Sequence, residues 1–155
     1  MAVLEICCLP DPVLRRKARR VPSIDGSIQQ LIDNMIDTMQ HTHGVGLAAP
    51  QIGVSLQVVV LQMPDEEPFA IVNPEIVKRS GEQQVMEGCL SVPGYVGEFK
   101  RSAAVTVKGL DRNGKAMRVK ATGLLAEALE HEIDHLKGVV YIDHLDAVDR
   151  LHRVE

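Results

Sequence analysis

The residues best suited to chemistry lie in "LEHEIDHLKG", Leu129 to Gly138. His131 and His135 are four residues apart, so on a helix they share one face and can converge on one point. Glu132 follows the first histidine and would project beside His135, where a proton shuttle for an activated water would stand. The pattern H-E-x-x-H on a helix is that of a metal-dependent hydrolase. The alternative is a surface helix with two exposed histidines, and the apolar neighbours Leu125, Ala128, Leu129 and Leu136 weigh against it.

Two imidazoles make half a metal site, and the third ligand decides the reaction. The extended zinc-protease pattern continues as far as Gly138, but its last position holds Tyr141, a poor zinc ligand. A thermolysin-like site needs a glutamate from a later helix, and after His135 only Glu155 is available. His144, nine residues past His135, stays open as an alternative. The strongest candidate is upstream: Cys89 in "EGCLS". Its thiolate suits zinc or ferrous iron. A lone cysteine is usually an apolar filler, but Gly88 and the Pro93–Gly94 pair suggest a shaped segment around this one. One Cys and two His leave a coordination position open, as catalytic sites require.

Other elements must bring Cys89 to the helix. Ile28, Leu31, Ile32, Met35, Ile36 and Met39 recur with helical spacing and predict a helix opened by a Ser27–Gln30 capping box and ending near His41 to Gly44. Its Met/Ile stripe reads as a core face. "GVGLAAPQIG" is a shaped loop, "LQVVVLQM" a strand, and "FAIVNPEIV" a strand interrupted at Pro74. "VMEGCLSVPGYVGEF" reads as extended with a break at Pro93–Gly94. "AAVTVKGLDRNGKAMRVKA" reads as a hairpin turning at Asn113–Gly114. The second helix runs from about Gly123 to Lys137 and stops at Gly138. Val148 and Leu151 suggest a last helical turn. The fold class expected is α+β: strands and hairpins packed around a central metal-bearing helix, with one N-terminal helix.

The 155 residues, 45 % hydrophobic and 25 % charged, fit one domain spanning 1–155. A net charge of −4 and four aromatic residues argue against nucleic acid as a partner. The basic run from Arg15 to Arg20 reads as a solvated face. No apolar run has membrane-spanning length. "MAVLEICCLPDP" is acidic where a signal peptide is basic, so the expected compartment is the cytoplasm. Cys7, Cys8 and Cys89 do not form a disulfide framework.

Together the motifs resemble those of the peptide deformylases. "GVGLAAPQ" (Gly44 to Gln51), "EGCLS" (Glu87 to Ser91) and "HEIDHLKG" (His131 to Gly138) match that family's three blocks in order, and the likeness covers essentially the whole chain. The resemblance implies removal of the N-formyl group from the initiator methionine of newly made polypeptides, with release of formate. It implies Cys89, His131 and His135 as ligands of one divalent metal, ferrous iron in the cell, with zinc or nickel also compatible with the donor set. It implies Glu132 as general base and acid for a metal-activated water, with the Gln51 side chain and the Leu90 backbone N–H as oxyanion donors.

For the substrate, Val45, Leu124 and Ala128 are candidates for the methionine pocket. Edges near Val45–Gly46 and Gly94–Tyr95 are candidates for pairing with the peptide backbone. Asp134 reads as an ion-pairing support. The partners expected are the formylmethionyl nascent chain and a transiently nearby ribosome, without direct nucleic-acid or membrane binding. The sequence departs from the family in having Glu130 before the first histidine, so that one helix carries Glu127, Glu130 and Glu132. No Arg stands shortly after the cysteine block, where the sequence reads "GYVGEF", and the tail after His144 is short, which does not support docking through a long C-terminal helix. Two other readings compete: an H-E-x-x-H peptidase, whose metal would survive loss of Cys89, and a non-catalytic binding module, which would be expected to lack Glu132 or Gln51.

Overall fold

The structure is a computed structural model and describes residues 2–145 and 151–154. A 3-10 turn over Pro12–Arg15 comes first, then helix α1 (Gly26–His41), β1 (Gly46–Ala48), a 3-10 turn over Ala49–Ile52, and β2 (Val58–Leu61). Next are β3 (Phe69–Ser80), β4 (Gln83–Cys89), β5 (Val92–Arg101), β6 (Ala104–Leu110) and β7 (Ala116–Thr122). Helix α2 (Gly123–Leu136), a 3-10 turn at Tyr141–His144 and β8 (Leu151–Arg153) complete it. Five strands form one antiparallel sheet in the order β1-β2-β3-β6-β7, and three form another in the order β4-β5-β8.

Strand β2 shows why its sequence is apolar without alternation. Val58 and Val60 pack with Ile32, Met35 and Met39 of α1. Val59 and Leu61 pack with Leu129 and Ile133 of α2 and with Val105 and Val107. Both faces are covered, so every residue of β2 is buried. The smaller sheet has its own core, in which Val85 and Phe99 meet Val140 and Tyr141. Helix α2 thus packs on the large sheet, while its polar side chains reach β4 and β5. The α+β architecture around a central H-E-x-x-H helix is the one expected.

Four local expectations are corrected. The cap of α1 is Asp25, whose carboxylate accepts from the Ser27 and Ile28 amides at 3.0 and 3.1 Å and from the Ser27 hydroxyl at 2.6 Å. The Ser27–Gln30 box is therefore not used: Asp25, two residues earlier, is the cap, and the helix has already begun at Gly26, so Ser27 lies inside its first turn. Pro74 does not end β3. The strand absorbs it in a register shift beside Asn73, which has φ 54°, and runs on to Ser80. The break after Cys89 comes at Leu90–Ser91, while Pro93–Gly94 lies within β5. Leu151 is in a strand pairing with Gly97, not in a helical turn, and Val148 lies outside the described residues.

Candidate active site

The two histidines come from the last two turns of α2, whose buried face holds Leu129, Glu132, Ile133, His135 and Leu136. Cys89 is the final residue of β4, delivered to the helix where the β4–β5 hairpin turns. One ligand atom from each of Cys89, His131 and His135 lies within 4.8 Å of the other two. Cys89 Sγ is 3.4 Å from His135 Nε2, and the two imidazole rings stand edge to face with centroids 5.0 Å apart.

This donor set fits a metal ion. Glu87 Oε1 lies 2.6 Å from His131 Nδ1, which leaves Nε2 for the other two donors. Burial, reinforced by the neighbouring His131, pushes the His135 pKa down to about 3, so its ring is neutral, as a ligand must be. Burial also opposes charge on His131, but the Glu132 charge and bonds to Cys89 and Glu87 outweigh it and hold its pKa well above the usual value. A site that gathers a thiol, two imidazoles and a carboxylate in this way draws in positive charge.

Behind His131 runs a ladder of charges, buried at Glu87 and Arg101 and reaching the surface at His144. Arg101 grips Glu87 through Nε and, at 2.9 Å, through Nη2. It also reaches Asp134 at 3.1 Å, and Asp134 meets His144 at 2.8 Å. Burial alone would raise the Glu87 pKa, but its bonds to His131 and Arg101 bring it down to about 2. Asp134 is the ion-pairing support expected. Glu87 and Arg101 were not singled out by sequence: Glu87 stood inside a recognised block with no role attached, and nothing in the sequence marks Arg101 as buried.

Glu132 is buried, and burial pushes its pKa up to about 7. Its Oε1 has no hydrogen-bond partner among the described residues. The side chain passes against Gly46 of β1, where an added Cβ would stand 2.6 Å from Oε2. Gln51, also buried, is aimed from the 3-10 turn: its Oε1 accepts from the Ala48 amide at 3.0 Å. Its Nε2 points to Ser91 Oγ at 3.4 Å and Cys89 Sγ at 3.6 Å.

An open cleft of about 310 Å³ joins these groups. Its lining includes Val45, Gly46, Gln51, Cys89, Leu90, Leu124, Ala128, His131 and Glu132. Met86, Glu87 and Glu127, not proposed from sequence for the cleft, also line it. Gly94 and Tyr95 do not. Tyr95 pairs with Arg153, and the Gly94 carbonyl accepts from Val154 N at 2.8 Å, so β8 already occupies that edge.

The remaining residues fall away from the centre. Tyr141 is core, its ring 6.4 Å from that of His131 and nearly parallel to it. His144 ends the charge ladder and is not in the metal cluster. Glu130 turns to the other side of α2, accepting from Arg79 Nε at 3.0 Å and from the Ser102 amide at 2.8 Å. The basic run is partly engaged: Arg15 pairs with Asp143 at 2.5 Å, and the Ala18 amide donates to Leu136 O.

The family model for polypeptide deformylase matches residues 3–151. A peptide deformylase of Dehalococcoides mccartyi is 61 % identical over 155 residues, covering 99 % of this chain and 93 % of that protein. One from Thermodesulfovibrio yellowstonii is 49 % identical, covering 97 % and 93 %. The crystal structure of a peptide deformylase from Legionella pneumophila superposes with a TM-score of 0.92 at 50 % identity, covering 96 % of this chain and 89 % of that one. The Ehrlichia chaffeensis enzyme in complex with actinonin gives 0.93 at 40 % identity, covering 97 % and 92 %. A three-donor site set in that fold, with a sequence match along almost its whole length, identifies the chain: it belongs to the polypeptide deformylase family.

Proposed function

We propose that the cleft hydrolyses the formyl amide of formylmethionyl nascent chains, with Cys89, His131 and His135 as metal ligands and Glu132 as the proton carrier. The observation that carries this reading is the convergence of Cys89 with the two histidines beside a buried Glu132 oxygen that has no hydrogen-bond partner among the described residues. A divalent ion bound there supplies Lewis acidity and lowers the pKa of water towards ~7. The thiolate and two imidazoles suit ferrous iron, our choice for the cell, as well as zinc and nickel.

The chain's own groups perform the rest. Glu132, with a pKa near 7, takes a proton from the attacking water and returns one to the departing amine nitrogen. The formyl C–N bond breaks, leaving formate and a free N-terminus. Gln51 Nε2 and the Leu90 amide donate to the formyl oxygen as charge gathers on it. Both β1 and β4 are edge strands of their sheets and both line the cleft. An extended peptide laid between them pairs with one or both, near Val45–Gly46 and Gly88–Cys89. Val45, Leu124 and Ala128, joined by Met86, receive the methionine side chain.

We read 1–155 as one catalytic domain working in the cytoplasm, close to the ribosome that supplies its substrate. No helix among the described residues is long and apolar enough to cross a membrane. The test is formate release from formyl-Met-Ala-Ser by the metal-loaded protein. Turnover of that peptide and none of acetyl-Met-Ala-Ser supports the reading. Cleavage of internal peptide bonds without formate release overturns it.

A further inference from the structure

The two donors proposed for the formyl oxygen come from different sheets. Gln51 sits in the 3-10 turn that follows β1 of the larger sheet, and Leu90 in the turn between β4 and β5 of the smaller one. Among the described residues no strand pairing joins the two sheets. Both donors must still meet one oxygen atom, and an error of about 1 Å in such a placement costs about 10²-fold in rate. The chain before α1 runs between the two turns. The Cys7 amide donates to the Gln51 carbonyl at 2.7 Å, and the Leu9 amide donates to the Ser91 carbonyl at 2.9 Å. Between them the Cys8 thiol lies 3.7 Å from the Leu90 carbonyl. The flanking side chains are anchored in separate cores. Ile6 packs against the core that α1 shares with the larger sheet, and Leu9 against the core of the smaller sheet. Upstream, the Leu4 amide donates to Thr38 Oγ1 of α1 at 2.9 Å.

We propose that Cys7 and Leu9 are positioning residues for the oxyanion site: through their main-chain amides, residues 6–9 tie the turn that carries Gln51 to the turn that carries Leu90 and set the separation of the two donors. This rests on the deformylase reading and deepens it by naming what holds its oxyanion contacts in register. A segment that only covered the core could direct its amides to any free carbonyl. Here the amides of Cys7 and Leu9 go to the two turns of the site. Gln51 is thereby held twice, through its side-chain oxygen by the Ala48 amide and through its main-chain oxygen by Cys7. Leu90 is pinned from both directions, with Cys89 of the three-donor cluster before it and the held Ser91 carbonyl after it. Because Ile6 and Leu9 belong to different cores, the tie bears on the distance between the sheets and not only on one turn. Donors fixed in advance of the reaction are the ones that stabilise a developing charge most.

The experiment measures kcat and KM for formate release from formyl-Met-Ala-Ser by the metal-loaded protein. Cys7→Pro, which removes the amide hydrogen, is compared with Cys7→Ala, which keeps it. The pair is made in the wild-type chain and again in Gln51→Ala. In the wild-type chain proline should lower kcat about tenfold or more relative to alanine, with KM within about twofold, since the loss falls on the transition state. Bound metal should be equal in the two. In Gln51→Ala the same exchange should cost less than about threefold, because the donor it would misplace is already gone. A merely structural role would cost the same factor in both backgrounds. Equal factors, or no loss in the wild-type chain, overturn the tie and leave the deformylase reading standing. If Cys7→Pro does not fold, Ile6→Ala takes its place in the cycle with the wild-type residue as reference, because it loosens the same anchor without touching an amide. Equal factors or no loss overturn the tie there too. No formate from the unmodified chain overturns the deformylase reading and this inference with it.

Discussion

Gly46 and Glu132 stand so close that a methyl group on the glycine would sit 2.6 Å from Oε2 and 2.9 Å from Cγ of the glutamate. The absent side chain of β1 is therefore the space in which the glutamate of α2 is held. Gly46→Ala should displace the carboxylate and lower kcat about 10²-fold, the size of effect that small misplacements cause. Bound metal, measured by elemental analysis, should be unchanged, because no ligand moves. An alanine variant with wild-type kcat would show that Glu132 is not positioned by this contact.

Glu87 holds His131 Nδ1 from behind and is itself clamped by Arg101. Glu87→Gln should weaken metal affinity about 10–100-fold, as losses of such supports do, readable as faster metal loss to a chelator. Arg101→Met should destabilise the fold by about 3–5 kcal/mol in urea unfolding, because it takes the guanidinium from the buried Glu87 and from the half-buried Asp134.

Gln51 takes no part in the metal cluster. Gln51→Ala should leave metal content intact and lower kcat about 10²–10³-fold, the typical cost of one oxyanion donor. A change confined to KM would assign Gln51 to binding instead.

Glu127 also makes a stability prediction. Its pKa is about 7 in the folded chain against an ordinary 4.5. Between those values the folded state holds a proton that the unfolded chain releases, so raising the pH through this window lowers stability. Glu127→Gln cannot release that proton. Urea midpoints measured at pH 4 and pH 8 should show the variant gaining on the wild type as pH rises. A constant difference would mean that Glu127 titrates normally.

Much of this site was legible because its residues lie close in sequence. His131, Glu132 and His135 are fixed relative to one another by helix geometry alone, and the three motif blocks carried Cys89 and Gln51 with them. What escaped depended on strand pairing. The Gly94–Tyr95 edge looked free because nothing in the sequence says that Leu151–Arg153 would return to cover it. The Glu87–Arg101 pair joins residues opposite in role but fourteen apart, across the β4–β5 hairpin. Pro74 looked like a strand break because a bulge at Asn73 cannot be seen without the partner strand. Glu130, the residue most out of keeping with the family, proved to face Arg79 and Ser102 on the far side of the helix from the cleft.

In the proposed mechanism Glu132 carries the proton while Cys89, His131 and His135 hold the metal. Its most direct test is Glu132→Ala, assayed in parallel for bound metal and for formate release from formyl-Met-Ala-Ser. Wild-type metal stoichiometry with kcat lowered about 10²–10⁴-fold is the expected result. Metal retained with full turnover would contradict it.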